Sequence, residues 1–343
     1  MKLLVIRLSA LGDVAMTVPV IDSLARQYPQ LEITVLSKPF TAPLFAAMPP
    51  NVTFEGVNLN EYKGLGGLIR LFNHLRKARF DCVADLHDVL RSKVLRTLFA
   101  LTGKHTAHID KGRKEKKLLT RDTHKRKEQL PTSFERYTRV FAQLGLPVDV
   151  HFRSIYGNGK GEVSLFEHIT GTPGTESWIG IAPFAAHPGK ILPEPTMEQL
   201  IAQAASHPHW KIFLFGGGKA EAEQLERWSK PYKNVVSMAG KLKMHQELAL
   251  MSHLKAMVSM DSANMHLASL TGTPVVSVWG ATHPLAGFMG WKQSTDHAVQ
   301  VDLPCRPCSI YGNKPCLRGD YACLNNIQAT DIIHNIETII HAR

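Results

Sequence analysis

The stretch AMVSMDSANMHLASLTGTPVVSVWGATHP, residues 256–284, reads as strand, helix, strand. Ala256 to Met260 is an apolar run ending in Asp261, and Ser262 opens a helix that runs to Gly272. A second apolar run, Pro274 to Trp279, ends in Gly280. Apolar strands joined through a helix form a parallel pair, and ligands of parallel sheets sit beyond the C-terminal strand ends. First-turn N–H groups and the positive end of the helix dipole favour a phosphate at that place. The Asp261 carboxylate repels phosphate, so its expected partners are hydroxyls of a sugar attached to one. The segment predicts a nucleotide-sugar pocket.

The same alternation extends over the chain. KLLVIRL (2–8), EITVLS (32–37), VTFEGV (52–57), DCVADL (81–86) and HTAHID (105–110) are expected strands, with helices at 15–28, 65–79, 90–101 and 132–144, the last capped by Thr132 or Ser133. Between 145 and 177 periodicity fades and Gly and Pro accumulate, which marks an interdomain connection. Strands resume at 177–184, 210–217, 234–240, 256–261 and 274–280, with helices at 196–206, 220–228, 246–254 and 262–270 and a closing amphipathic helix at 329–341. The expected fold is α/β of the GT-B type, two Rossmann-like doubly wound domains facing a cleft. Its parts are residues 1–160, residues 175–327 and a C-terminal helix, 328–343.

The 343 residues suffice for two domains, and no apolar run approaches the roughly 20 residues of a membrane-spanning helix. The N-terminus MKLLVIRLSALGD lacks the h-region and cleavage site of a signal peptide, so a cytoplasmic protein is expected. The net charge of +11 is concentrated: Lys104–Arg139 holds 12 Lys/Arg against 5 Asp/Glu. That segment is either a solvated basic face or a surface for an anionic acceptor or membrane. Nucleic acid is disfavoured, because no nucleic-acid module is present and aromatics do not interleave with the charges.

Several loops at strand ends carry chemistry. In RLSALGD the small residues Ser9, Ala10 and Gly12 allow close approach to the backbone, and Asp13 is either a helix-capping carboxylate or a catalytic base. The loop is not G-x-G-x-x-G, which argues against a dinucleotide dehydrogenase. Lys190, in IAPFAAHPGKILPEPT, is either a surface lysine or the cation that neutralises a departing diphosphate. In FLFGGGKAEAEQL, Glu221 or Glu223 would meet ribose hydroxyls. Met244 begins a helix and either pads a base or joins the core, and His266 either touches phosphates or is an ordinary hydrogen-bonded helix histidine. The loop C-x2-C-x7-C-x6-C (Cys305, Cys308, Cys316, Cys323) is structural, holding either free thiols or a zinc ion.

Taken together, R-L-S-A-L-G-D-V-x-x-T-x-P, D-C-V-A-D-L-H-D-V-L-R-S (81–92) and the 261–284 block resemble glycosyltransferase family 9, the heptosyltransferases of lipopolysaccharide core assembly. The resemblance implies metal-independent, inverting transfer of heptose from ADP-heptose to an anionic inner-core glycolipid of the lipid A–Kdo type, with no cofactor. Asp13 matches the family's general base and Lys190 its phosphate-contacting lysine. Met244 matches the adenine contact, Glu221 or Glu223 the ribose acid, and Asp261 and His266 donor contacts. Ser262 and Ala263 match the backbone amides that face the diphosphate. Peripheral contact with the inner face of the cytoplasmic membrane follows from such an acceptor. The alternatives are a GT-B enzyme using another nucleotide sugar and a non-catalytic nucleotide-sugar-binding protein.

Overall fold

The computed structural model describes residues 1–342 and divides into two compact units. Unit 1 comprises Met1–Gly112 and Pro131–Ile155, and unit 2 comprises Arg113–Leu130 and the chain from Tyr156 onward. In chain order the first part runs β1 (Lys2–Ile6), α1 (Leu11–Ala15), α2 (Val18–Gln27), β2 (Glu32–Ser37), β3 (Val52–Gly56), α3 (Gly64–Leu75), β4 (Cys82–Asp85), α4 (Leu90–Leu101), β5 (His105–His108), α5 (Arg113–Thr120) and α6 (Ser133–Gln143). The rest runs α7 (Glu167–Thr170), β6 (Ser177–Ala182), α8 (Glu194–Ser206), β7 (Trp210–Leu214), α9 (Lys219–Ser229), β8 (Val235–Ser237), α10 (Met244–Met251), β9 (Ala256–Met260), α11 (Ala263–Leu270), β10 (Val275–Trp279), β11 (Ala298–Gln300), α12 (Ala322–Asn325) and α13 (Ala329–His341).

Each unit holds one parallel sheet, in the order β3-β2-β1-β4-β5 in unit 1 and β11-β10-β9-β6-β7-β8 in unit 2. The central strands β1 and β9 are apolar and buried throughout or nearly so, as strands covered on both faces must be. In unit 2, Ile181 lies level with Leu214 on one side and Val258 on the other, so three apolar runs meet in one core layer. Gly180 packs closely there: a Cβ would stand 2.3 Å from the Met257 sulfur, which would have to shift.

Three features depart from the sequence reading. The helix expected at 15–28 is two helices broken at Met16–Thr17, because Pro19 lacks the N–H to continue a ladder and instead sits in the first turn of α2. The expected domain of residues 1–160 is interrupted, because 113–130 belongs to unit 2. There Leu119 and Leu130 pack on Ala286 beside Leu285, Phe288 and Ile310, Leu130 donates its N–H to Leu285 O at 2.9 Å, and Lys127 pairs with Asp302 at 3.3 Å. The basic segment is therefore split, and its middle part is anchored by apolar residues spaced among the lysines. Finally, α13 is no separate element: Ile332, Ile333, Ile336 and Ile339 are part of the unit 2 core. The Thr132 cap is settled by a reciprocal box, with Glu135 N–H donating to Thr132 Oγ1 (3.2 Å) and Thr132 N–H to Glu135 Oε2 (2.6 Å).

Candidate active site

Unit 1 places its polar groups where β1 and β4 end side by side. Arg7 follows the buried run of β1 and is itself buried. Its Nη1 donates to Leu86 O at 2.6 Å and its Nη2 pairs with Asp13 Oδ2 at 2.7 Å. The same carboxylate oxygen accepts the Ala10 N–H at 3.3 Å, and Tyr137 OH donates to Asp13 O at 3.3 Å. Asp13 is thus a first-turn carboxylate of α1 and also an oriented anion on the sheet's C-terminal edge. Arg7, a charged residue directly after the apolar run Leu3–Ile6, was the available signal for this pair and escaped the sequence reading.

His87 was missed as well. Asp85, buried and paired with Arg96 at 3.0 Å, accepts the N–H groups of His87 (3.0 Å) and Asp88 (2.8 Å) and so shapes the turn that carries the imidazole. Leu8 N–H donates to His87 Nδ1 and Ser9 Oγ lies 3.4 Å from Nε2. An Nδ1 that accepts leaves the proton on Nε2, directed at Ser9. Burial first, then the Arg7 and Lys111 charges, push the His87 pKa down to about 3, so the ring is neutral at physiological pH.

This shift has a measurable sign. The unfolded chain takes up a proton at His87 below the ordinary value of 6.5, whereas the folded chain refuses it until about 3, so acidification through that window favours unfolding. Relative to His87→Gln, the unfolding constant of wild type should rise roughly tenfold per pH unit as the pH falls below 6.5 towards 3. Urea unfolding at pH 7, 5.5 and 4.5 measures this, and parallel pH profiles would show that His87 charges freely in the native state.

In unit 2 the predicted site residues leave consecutive neighbours of the sheet, β9, β6, β7 and β8, at their C-terminal ends. Lys190 closes a short turn after β6 and pairs with Asp261, the residue after β9, at 2.9 Å; Asp261 is buried and Lys190 largely so. Ser262 is the extended residue before α11, and its hydroxyl lies 3.3 Å from Ser259 Oγ instead of capping the helix. The first-turn amides beginning at Ala263 are therefore not taken by that side chain, and His266 lies buried in the same helix. Beyond β7, the Glu221 carboxylate accepts the Gly217 N–H at 2.8 Å, inside the glycine turn. Glu223 is exposed and lies 3.9 Å from Lys219. The two acids are thus distinguished: Glu221 belongs to the turn and Glu223 to the outer face. Met244 is the first residue of α10, after β8.

The cysteine loop supports this edge through Arg306, which the sequence reading left unassigned. Buried Arg306 donates to the carbonyls of Gly280 (2.5 Å), Trp279 (3.0 Å), Thr282 (2.9 Å) and Val301, and to Gln300 Oε1 (3.1 Å). These five contacts, three of them shared by the two N–H groups of Nη2, bind together the chain leaving β10 and the chain leaving β11. Ala281 N–H in turn donates to Gly189 O at 2.8 Å. Gly312, at φ +74°, lies so close that a Cβ would stand 2.6 Å from Lys190 Cγ. Of the thiols, Cys323 is buried on α12 with its pKa pushed up to about 11, chiefly by burial. Among the described residues no three His, Cys, Asp or Glu side chains are grouped as metal ligands, and the four thiols form no such group.

Two parallel α/β sheets, one ending in an oriented carboxylate and the other in a Lys–Asp pair beside a helix start and a glycine turn, are those of a GT-B protein. The model of glycosyltransferase family 9 (heptosyltransferase) matches residues 68–316, and the chain belongs to that family. It is 26% identical over 327 residues to lipopolysaccharide heptosyltransferase 1 of Pseudomonas aeruginosa, spanning 90% of this chain and 86% of that protein. The fold matches that of E. coli ADP-heptose lps heptosyltransferase II with a TM-score of 0.74 at 20% identity, covering 100% of this chain and 99% of that one. It also matches E. coli heptosyltransferase WaaC, solved with ADP-2-deoxy-2-fluoro heptose, with a TM-score of 0.65 at 18% identity, covering 98% and 99%. The protein is a glycosyltransferase.

Proposed function

We propose that this chain transfers heptose from ADP-heptose, with inversion and without a metal, to an anionic inner-core glycolipid of the lipid A–Kdo type. The observation that carries the reading is the series of adjacent strand ends in unit 2: Asp261 and the start of α11, Lys190, the Glu221 turn and Met244. In this reading Met244 packs on adenine, Glu221 binds ribose, and the amides at Ser262 and Ala263 meet the diphosphate. Asp261 and His266 face the sugar and phosphate, and Glu223 plays no part. Lys190, held by Asp261, supplies the positive charge that stabilises the departing ADP. Asp13 takes the proton of the acceptor hydroxyl as its oxygen attacks the anomeric carbon. The reaction is cytoplasmic, at the inner face of the membrane that presents the acceptor. No described helix is long and apolar enough to cross a membrane.

ADP should raise the unfolding temperature while UDP and GDP at equal concentration should not, because only the nucleotide that binds the native state stabilises it. Mass spectrometry of a reaction between ADP-heptose and delipidated core acceptor should show one added heptose. Stabilisation by UDP or GDP in place of ADP would transfer the assignment to another nucleotide sugar.

A further inference from the structure

In the proposed donor site the groups follow the strand order of unit 2: Met244 after β8, Glu221 after β7, Lys190 after β6 and Asp261 after β9. The next strand end along this edge is β10, four strand intervals from β8, or roughly 19 Å at about 4.8 Å each. With the base at β8 and the diphosphate at β6 and β9, the sugar of an extended nucleotide sugar comes to the β10 end. A turn of the cysteine loop stands there. Cys308 and Ser309 donate their N–H groups to Ala281 O, just past β10, at 3.1 and 3.3 Å, and Gly312 N–H donates to Ser309 Oγ at 2.9 Å. Gly312 lies along the Lys190 stem, where a Cβ would come within 3.3 Å of Cγ, Cδ and Cε. Tyr311, the residue before it, is a large aromatic left 50% exposed. Its ring centroid lies 6.0 Å from that of Phe288, and Lys116 Nζ stands 4.5 Å from the Phe288 centroid. Phe288 itself packs against Leu119, Leu130 and Ala286, so the open ring is backed by an anchored apolar cluster.

We infer that Tyr311, backed by Phe288, is the face on which the sugar of the nucleotide-sugar donor stacks, and so a determinant of which sugar is transferred. Its role rests on the donor-site reading above and extends that site to the cysteine loop. A pyranose presents hydroxyls along its edge and C–H groups on its faces. The electron-rich face of an aromatic ring attracts such C–H groups, while a carboxylate accepts from the hydroxyls. Asp261 after β9 and Tyr311 beside the β10 exit supply one of each at neighbouring strand ends. The turn that carries Tyr311 is bonded to the β10 exit and pressed on Lys190, so the ring is positioned before the ligand arrives. Such preorganisation lowers the ordering cost of binding.

The test is calorimetry on the full chain with ADP and with ADP-2-deoxy-2-fluoro heptose, no acceptor being present. Tyr311→Ala should weaken the sugar-bearing ligand roughly 5- to 30-fold, the loss of one aromatic contact face, and leave ADP binding unchanged. Tyr311→Phe keeps the ring and should bind both ligands as wild type does. Leu317→Ala is the control: Leu317 is 72% exposed in the same loop, and its truncation should alter neither affinity. Unchanged unfolding temperatures would show that these variants remain folded. Equal effects of Tyr311→Ala on the two ligands, or no effect on either, would overturn the assignment. So would a raised KM for acceptor with binding of the sugar-bearing ligand intact, which would give the ring to the acceptor sugar. Failure of the donor-site reading looks different: wild type would then bind neither ADP nor its heptose derivative, and the role of Tyr311 would fall with that site.

Discussion

Asp13→Asn is expected to lower turnover of ADP-heptose and acceptor by roughly 10²- to 10⁴-fold, the range that a positioned general base contributes, with ADP affinity little changed. The substitution keeps an oxygen that can accept the Ala10 N–H but removes the negative charge that Arg7 Nη2 meets at 2.7 Å. Nothing in unit 2 is altered, so nucleotide binding measured by calorimetry should report an intact donor site. Loss of the charge also leaves the buried guanidinium of Arg7 with less compensation, so unfolding of the variant should be measured alongside. A folded variant that binds ADP and turns over at the wild-type rate would remove Asp13 from the chemistry.

Arg306→Ala should be the most destabilising single change in unit 2 outside its apolar core, by about 3–5 kcal/mol, the cost typical of breaking a fully desolvated charged network. The carbonyls of Trp279, Gly280, Thr282 and Val301 would all lose their shared donor. Arg306→Lys should recover little, since an ammonium group cannot reach acceptors spread around a planar fork. Because Ala281 holds Gly189 and the 309–313 turn confines Lys190, the loss should extend to the donor site. The stabilisation by ADP should shrink in the same variant. Urea unfolding with and without ADP measures both effects, and a variant as stable as wild type with an undiminished ADP response would show that the loop is held by other contacts.

Much of the arrangement at the strand ends of unit 2 was legible because its signals are local. The apolar run before Asp261, the helix after Ser262 and the glycines before Glu221 each lie within a dozen residues of the group they position. The sequence could not separate Glu221 from Glu223, since both lie in the first turns of one helix. Only the direction of the turn decides which carboxylate meets the Gly217 N–H. The split of the basic segment was hidden for a different reason. Charge counts see eight Lys/Arg between 113 and 130, while the placement depends on Leu119 and Leu130, which find their partners about 160 residues later in the chain.

The amino-acid order alone determined the alternation of strands and helices, the parallel character of both sheets and the family, because short-range periodicity and contiguous motifs encode them. Tertiary structure decided the rest. The Arg7–Asp13 and Lys190–Asp261 pairs, the neutral His87 beside Ser9 and the Arg306 clamp all depend on which strands lie side by side. A buried polar group takes whatever partner the sheet order brings within 3 Å or so, and separation along the chain carries no information about that distance.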